Sequence, residues 1–322
     1  MASASTDVDL SRRAWQRYWQ SDRLAACMPD NPAAAAEIER YWKGEFSGLS
    51  SGARVLDVAT GNGVLLAWAA QSAADRGLAL ALTGIDAAQI DPLRFVTSEQ
   101  EALRSVAFHG GVAAERLPFG DAAFDVVVSQ FGLEYSDLDV SLSEVERVLA
   151  PGGCLRWLAH GASSAVVVES AERVAQMDFL LAQDGPFAAM AFFTRALLQG
   201  RRIARARDRL QASLEVARTY CLKNPPSELV QQICGSFMHM AIENQRYHPE
   251  DIATLVEENR EKMRFYRRRL RDLLAAQLTP ERESRVRESL AVSGWRDVVM
   301  SPLADSGTGN HLGSVISATR AW

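Results

Sequence analysis

Residues 54–66 read Arg-Val-Leu-Asp-Val-Ala-Thr-Gly-Asn-Gly-Val-Leu-Leu, and no other stretch of the chain restricts its fold so tightly. Val55, Leu56 and Val58 form a short apolar run suited to a buried strand, and a turn with two glycines follows. Leu65, Leu66, Trp68 and Ala69 then begin a helical pattern. Strand, tight turn and helix in this order open a doubly wound α/β sheet. Gly61 and Gly63 tolerate positive φ and carry no Cβ, so a ligand can lie directly against the backbone. The helix start behind them presents unpaired N–H groups. The segment is a cofactor cradle. A dinucleotide fingerprint needs a third glycine at the sixth position, where this chain has Leu66, which disfavours a nicotinamide oxidoreductase. A P-loop needs Gly-Lys-Ser/Thr after the turn, and none is present.

The following hundred residues continue the alternation. Ala81 to Ile85 predicts a second strand ending in Asp86, an acid suited to accepting from both hydroxyls of a ribose or to capping a helix. Val106 to Phe108 predicts a third. Glu115-Arg116-Leu117-Pro118-Phe119 precedes a fourth, Phe124 to Ser129. Val145, Val148 and Leu149 mark an amphipathic helix that stops at Pro151-Gly152-Gly153 before a fifth strand, Cys154 to Leu158.

From Arg54 to His160 these segments resemble the class I S-adenosylmethionine-dependent methyltransferases. Asp57, Gly61 and Gly63 match the acid and glycine positions of that family's first motif. The "LPF … FDVVVS" segment and the "RVLAPGG" turn match later ones. The resemblance implies a Rossmann-like, seven-stranded doubly wound sheet with strand seven antiparallel. It also implies S-adenosyl-L-methionine as cofactor and methyl transfer as activity. Cofactor contacts are then expected at Asp57, Thr60, Gly61, Asn62 and Gly63 in the glycine turn, and at Asp86 and Ala87 after the second strand. Further contacts are expected at Ala114 and Glu115 in the loop over the adenine, and at Ser129, Gln130 and Phe131 after the fourth strand. One position departs from the pattern: many members carry an acid where this chain has Ala113, which leaves the adenine to the backbone of Ala114 and Glu115.

Four parts follow: an N-terminal helical arm (1–50), the core through strand five (51–162), a helical cap inserted after strand five (163–278), and a final helix with strands six and seven (279–322). Trp15, Tyr18 and Trp19 recur at helical spacing in the arm, either to dock it or, as in the family, to close over the cofactor. The insertion leaves the sheet at the strand ends where an α/β fold binds ligands, so it is expected to cap the active site. Its apolar stretch Phe187 to Phe193 leaves open packing between helices, a pocket wall or a homodimer face. Trp295 to Met300 and Leu312 to Thr319 predict the last two strands, after a short helix at Arg285 to Val292.

Two features invite a nucleic-acid reading. Asn224-Pro225-Pro226-Ser227 is similar to the N-P-P-Y/F motif of adenine methyltransferases, but it does not follow the fourth strand and reads as a helix start. Arg264, Arg267, Arg268, Arg269 and Arg271 are interleaved with acids, the pattern of a solvated helix with ion pairs. A net charge of −5 over 322 residues argues against obligatory binding to nucleic acid or anionic membrane. Four scattered cysteines, no apolar N-terminal leader and no membrane-length apolar run fit a soluble, cytoplasmic enzyme.

The expected activity is methyl transfer to an O, N or C atom of a small molecule. Alternatives are a non-catalytic binding module of the same fold and an enzyme acting on a macromolecule. A general base is needed only if the acceptor starts protonated. His160 after strand five is the candidate base, with Tyr135 after strand four as a second catalytic candidate. No Cys/His grouping suggests a metal site.

Overall fold

The computed structural model describes residues 2–29, 31–292 and 294–322. Its contacts separate into two compact units, Met1–Glu169 with Asp272–Trp322, and Ser170–Arg271.

The first unit begins with α1 (Ala2–Trp19) and α2 (Pro32–Ser47). The Asn31 side chain accepts from Ala33 N–H at 2.9 Å, and Pro32 takes the first helical position, where a missing N–H costs nothing. α2 buries Ala34, Ile38, Trp42 and Phe46, a single apolar stripe at four-residue spacing. Then come β1 (Arg54–Val58), α3 (Val64–Ala74), β2 (Ala81–Asp86), the short α4 (Pro92–Phe95) and α5 (Gln100–Leu103), and β3 (Val106–Gly110). β4 (Phe124–Gln130), a 3-10 turn (Leu133–Tyr135), α6 (Leu138–Val148) and β5 (Leu149–Ala159) complete the first half.

The chain passes through α7 (Ala165–Leu181), α8 (Pro186–Gln199), α9 (Ile203–Lys223), α10 (Glu228–Ile242) and α11 (Pro249–Ala276). It then returns as α12 (Pro280–Val292), β6 (Trp295–Ala304) and β7 (His311–Arg320). The strand order is β3-β2-β1-β4-β5-β7-β6. β1 pairs in parallel with β2 and β4, and β4 with β5, whereas β7 runs antiparallel to both β5 and β6. This is the seven-stranded doubly wound sheet that the resemblance implied.

Successive strand residues point to opposite faces, so each strand feeds two cores. Val55, Val126, Val128 and Leu158 pack with Trp42, Phe46, Leu65 and Leu66. Leu56, Val58, Val127, Leu155 and Trp157 pack with Val145, Val148, Val286 and Leu290. β5 begins at Leu149, earlier than the sequence suggested, because Leu149 pairs with Phe124 directly out of α6. The register then shifts, with Cys154 opposite Val126, and Pro151–Gly153 form the irregularity between. Gly152 sits there at φ +77°, and a bulge is where a strand tolerates proline. α12 starts at Pro280 rather than Arg285, since its first turn is charged and shows no apolar period.

The second unit has its own core, including Met177, Phe187, Met190, Phe193, Leu210 and Phe237. Phe187, Met190 and Phe193 are fully buried there, so the apolar stretch packs among the unit's own helices. Asn224 and Ser227 serve helix ends: Asn224 Nδ2 donates to the Tyr220 carbonyl at 2.9 Å and Ser227 Oγ to the Asn224 carbonyl. On α11, Arg267 and Arg271 pair with Asp178 at 2.9 and 2.7 Å, as an ion-paired helix requires.

Within the first unit, the points where the insertion leaves and returns are joined. Leu278 N–H donates to the His160 carbonyl at 2.7 Å, Ala162 N–H donates to the Leu278 carbonyl at 3.2 Å, and Gly161 and Leu278 form a parallel bridge. Among the described residues no helix is long and apolar enough to cross a membrane.

Candidate cofactor and active site

The strand order reverses between β1 and β4, and ligands of doubly wound sheets bind beyond the carboxyl ends of the strands at such a point. Here the glycine turn joins β1 to α3. Gly61 and Gly63 adopt φ of +54° and +86°, and Ala59 also sits at +60°, a conformation that costs an L-residue about 1–2 kcal/mol. A Cβ on Gly61 would lie 2.4 Å from the Trp19 indole, and one on Gly63 would lie 2.7 Å from the Phe108 ring. Both glycines are therefore required by close aromatic neighbours as well as by backbone conformation.

Asp86 braces this turn from the end of β2. Its Oδ2 accepts from Gly61 N–H at 2.9 Å and its Oδ1 from Ala88 N–H at 2.8 Å, while burial pushes its pKa up to about 6. Ala87 lies exposed between Asp86 and Ala88. Asp57 is fully buried in β1. Its Oδ2 accepts from the Thr60 hydroxyl at 2.7 Å, and its Oδ1 has no partner. Burial, reinforced by the nearby Asp86 charge, lifts the Asp57 pKa to about 8. Asn62 ties the arm to the turn, Nδ2 donating to the carbonyls of Trp19 at 3.2 Å and Arg23 at 2.7 Å, and its Oδ1 is also unpartnered.

The end of β4 supplies the opposite wall. Ser129 Oγ donates to the Val58 carbonyl at 2.8 Å and accepts from Leu133 N–H at 3.0 Å, so this hydroxyl holds β4 to β1. Gln130 Oε1 accepts from Trp42 Nε1–H at 2.6 Å and anchors α2. Phe131, at φ +52°, stacks on the His160 ring with centroids 4.4 Å apart. His160 is fully buried, neither ring nitrogen has a hydrogen-bond partner among the described residues, and burial pushes its pKa down to about 3. The Tyr135 ring stands edge-on to both His160 and Trp15, at 6.1 and 5.6 Å. Ala114 packs on the core, and Glu115 Oε1 accepts from Asp137 N–H at 2.9 Å.

One important residue escaped the sequence reading. Glu134 is buried in the 3-10 turn, with Oε2 accepting from Trp157 Nε1–H at 3.0 Å and Oε1 from His160 N–H at 2.9 Å. Its carbonyl accepts from Arg282 Nη2 at 2.9 Å, and burial raises its pKa to about 6. Glu134 thus fixes the backbone of the candidate base. Its neighbours Leu133 and Tyr135 give no local signal, because both donors lie on or just after β5.

Residues 55–153 match the family model of the methyltransferase domain. Over those residues the chain carries a methyltransferase domain. Over 129 residues the chain is 36% identical to the ubiquinone/menaquinone biosynthesis C-methyltransferase UbiE of Teredinibacter turnerae, covering 39% of this chain and 51% of that protein. Its counterpart from Shewanella oneidensis is 34% identical over the same shares. The chain therefore spans about half the length of the curated relatives it matches. Among solved structures, the CurJ carbon methyltransferase aligns over 91% of this chain and 56% of its own, at 16% identity and a TM-score of 0.42.

The methyltransferase core fits its family's cofactor, S-adenosylmethionine, on its own features. The unmatched Oδ1 atoms of Asp57 and Asn62 are buried acceptors suited to an ammonium group. Each Asp86 oxygen retains a lone pair for a ribose hydroxyl beyond the N–H it already accepts.

Proposed function

We propose that the chain catalyses methyl transfer from S-adenosylmethionine to an O, N or C atom of a small molecule, releasing S-adenosylhomocysteine. The buried Asp57, Asp86 and Asn62 acceptors around the glycine turn are the observation that carries this reading. When bound, the cofactor supplies an electrophilic methyl group on a sulfonium. The chain's own task is then to align an acceptor with that methyl group and, where needed, remove its proton.

His160 and Tyr135 stand at the ends of β5 and β4 for this work. The His160 ring is neutral at neutral pH, with one nitrogen able to accept a proton and its backbone held by Glu134. Its low pKa makes it a weak base, suited to an acceptor whose proton is already acidic. The likeness to enzymes named as C-methyltransferases supports a carbon acceptor. Net charge −5 and the ion-paired arginines of α11 support a small acceptor over a polyanionic one. The insertion, which departs from the end of β5, is the element we assign to acceptor selection, and its surface to any self-association.

Calorimetric titration with S-adenosylhomocysteine tests the core of the proposal. Wild-type protein should bind, and Asp86→Ala should bind about 1–3 kcal/mol more weakly through loss of charge-assisted hydrogen bonds. Equal affinity in the two proteins would remove Asp86 from the site, and no binding by cofactor-free wild type would remove the proposal.

A further inference from the structure

The first unit has a cavity of about 320 Å³ lined by residues just after β5, at the start of β7, in β6 and on α12. Its polar lining has a defined internal order. His311 Nε2 lies 2.9 Å from the Gly313 carbonyl, which can only accept, so Nε2 carries the proton. With Nε2 as the ring's one N–H, His311 Nδ1, 2.8 Å from Ser163 Oγ, accepts from the Ser163 hydroxyl. Glu283 Oε1 accepts from Ser314 Oγ at 2.8 Å.

Two donors remain without partners. Arg287, one helical turn beyond Glu283, makes no hydrogen bond or ion pair with the described residues, and neither does the Ser301 hydroxyl. Arginine presents a planar fork of N–H groups that matches a carboxylate in two parallel bonds. The rest of the lining includes Leu278, Met300 and Pro302, which suit an apolar body. The Arg287 guanidinium and the Glu283 carboxylate together are neutral, so a bound monoanion adds one net negative charge and a dianion such as phosphate two, which makes the monoanion the less costly ligand.

The cavity is connected to the catalytic candidates through neighbouring residues, although neither candidate lines it. A Cβ on Gly313, whose carbonyl orients His311, would lie 3.2 Å from the Phe131 ring, and Phe131 stacks on His160. Leu278, in the cavity wall, bonds through its N–H to the His160 carbonyl.

We propose that this cavity binds the carboxylate of an apolar small organic acid, through the Arg287 guanidinium and the Ser301 hydroxyl, and that this acid is the methyl acceptor. Its role as acceptor rests on the methyltransferase reading; the binding itself does not.

Fluorine NMR on the full chain tests it with 4-fluorobenzoate as probe and 4-fluorobenzamide as its neutral isostere, S-adenosylhomocysteine being titrated into the same preparations. Wild type should bind the benzoate and discriminate against the benzamide. Arg287→Gln should weaken benzoate binding at least tenfold, Arg287→Lys should restore part of it, and Ser301→Ala should weaken it several-fold. Arg287 is exposed, so these variants should unfold at the wild-type urea midpoint and keep wild-type affinity for S-adenosylhomocysteine. Equal binding of benzoate and benzamide, or wild-type benzoate binding by Arg287→Gln, overturns the site. Benzoate binding that depends on Arg287 in a protein that fails to bind S-adenosylhomocysteine upholds the site and overturns the methyltransferase reading alone.

Discussion

Replacing Asp57 by Asn should make the cofactor-free protein progressively more stable than wild type as pH rises. Asp57 is fully buried, one oxygen accepts from Thr60, the other has no donor, and burial lifts its pKa to about 8. In the unfolded chain the same carboxyl titrates near its ordinary value of about 4. Between those values the folded state keeps a proton that the unfolded state has lost. Its contribution to stability is therefore complete below the unfolded pKa and declines as pH rises towards the folded one. The slope is about 1.4 kcal/mol per pH unit, so this side chain withdraws about 3 kcal/mol between pH 5 and pH 7. Asparagine has nearly the shape of the protonated acid, can still accept from Thr60, and does not titrate. The stability difference between variant and wild type should thus widen by about 3 kcal/mol over that interval in urea titrations at fixed ionic strength. A difference that stays constant would mean that Asp57 is ionised in the folded chain, and the reasoning would fail. Affinity for S-adenosylhomocysteine should move the other way, since the variant cannot present a carboxylate to the ligand's ammonium group.

Glu134→Gln retains only one acceptor oxygen for two buried donors, so Trp157 Nε1–H or His160 N–H would face an amide NH₂ group. The expected loss is about 1–3 kcal/mol in urea denaturation, and an unchanged midpoint would show that neither bond helps hold β4 to β5. Gly61→Ala places a methyl group against the Trp19 indole at 2.4 Å and should dislodge the end of α1. Trypsin should then cut sooner at Arg12, Arg13 or Arg17; an unaltered digestion pattern would show that Trp19 does not depend on Gly61.

The sequence reveals the sheet because parallel strands buried on both faces leave nearly continuous apolar runs: Val126–Val128 is one, and Val55–Val58 is another broken only by Asp57. The glycine turn is legible for a different reason: few backbone conformations need glycine at two positions separated by one residue. Glu134 is illegible because its burial depends on Trp157 and His160, 23 and 26 residues away. The side chains of Ser129 and Gln130 carry the same lesson. Their positions after strand four suggest ligand contact, yet their hydrogen bonds go to Val58, Leu133 and Trp42, partners visible only in three dimensions. The cavity beside Ser163 and His311 joins residues 148 positions apart, a separation that no local pattern can signal.

The bridge between Gly161 and Leu278 bears on how the sheet is completed. β7 must find β5 across the whole helical insertion, a long-range pairing that would ordinarily slow folding. Where the bridge forms first, it joins the two ends of the insertion and leaves only α12 and the last hairpin to be searched. Even without that shortening, each doubling of a flexible loop adds only about 0.6 kcal/mol to its closure. An insertion held at its neck can therefore lengthen, shrink or be exchanged between proteins with little thermodynamic consequence for the sheet. Any such exchange would pass through the same few residues that also carry His160.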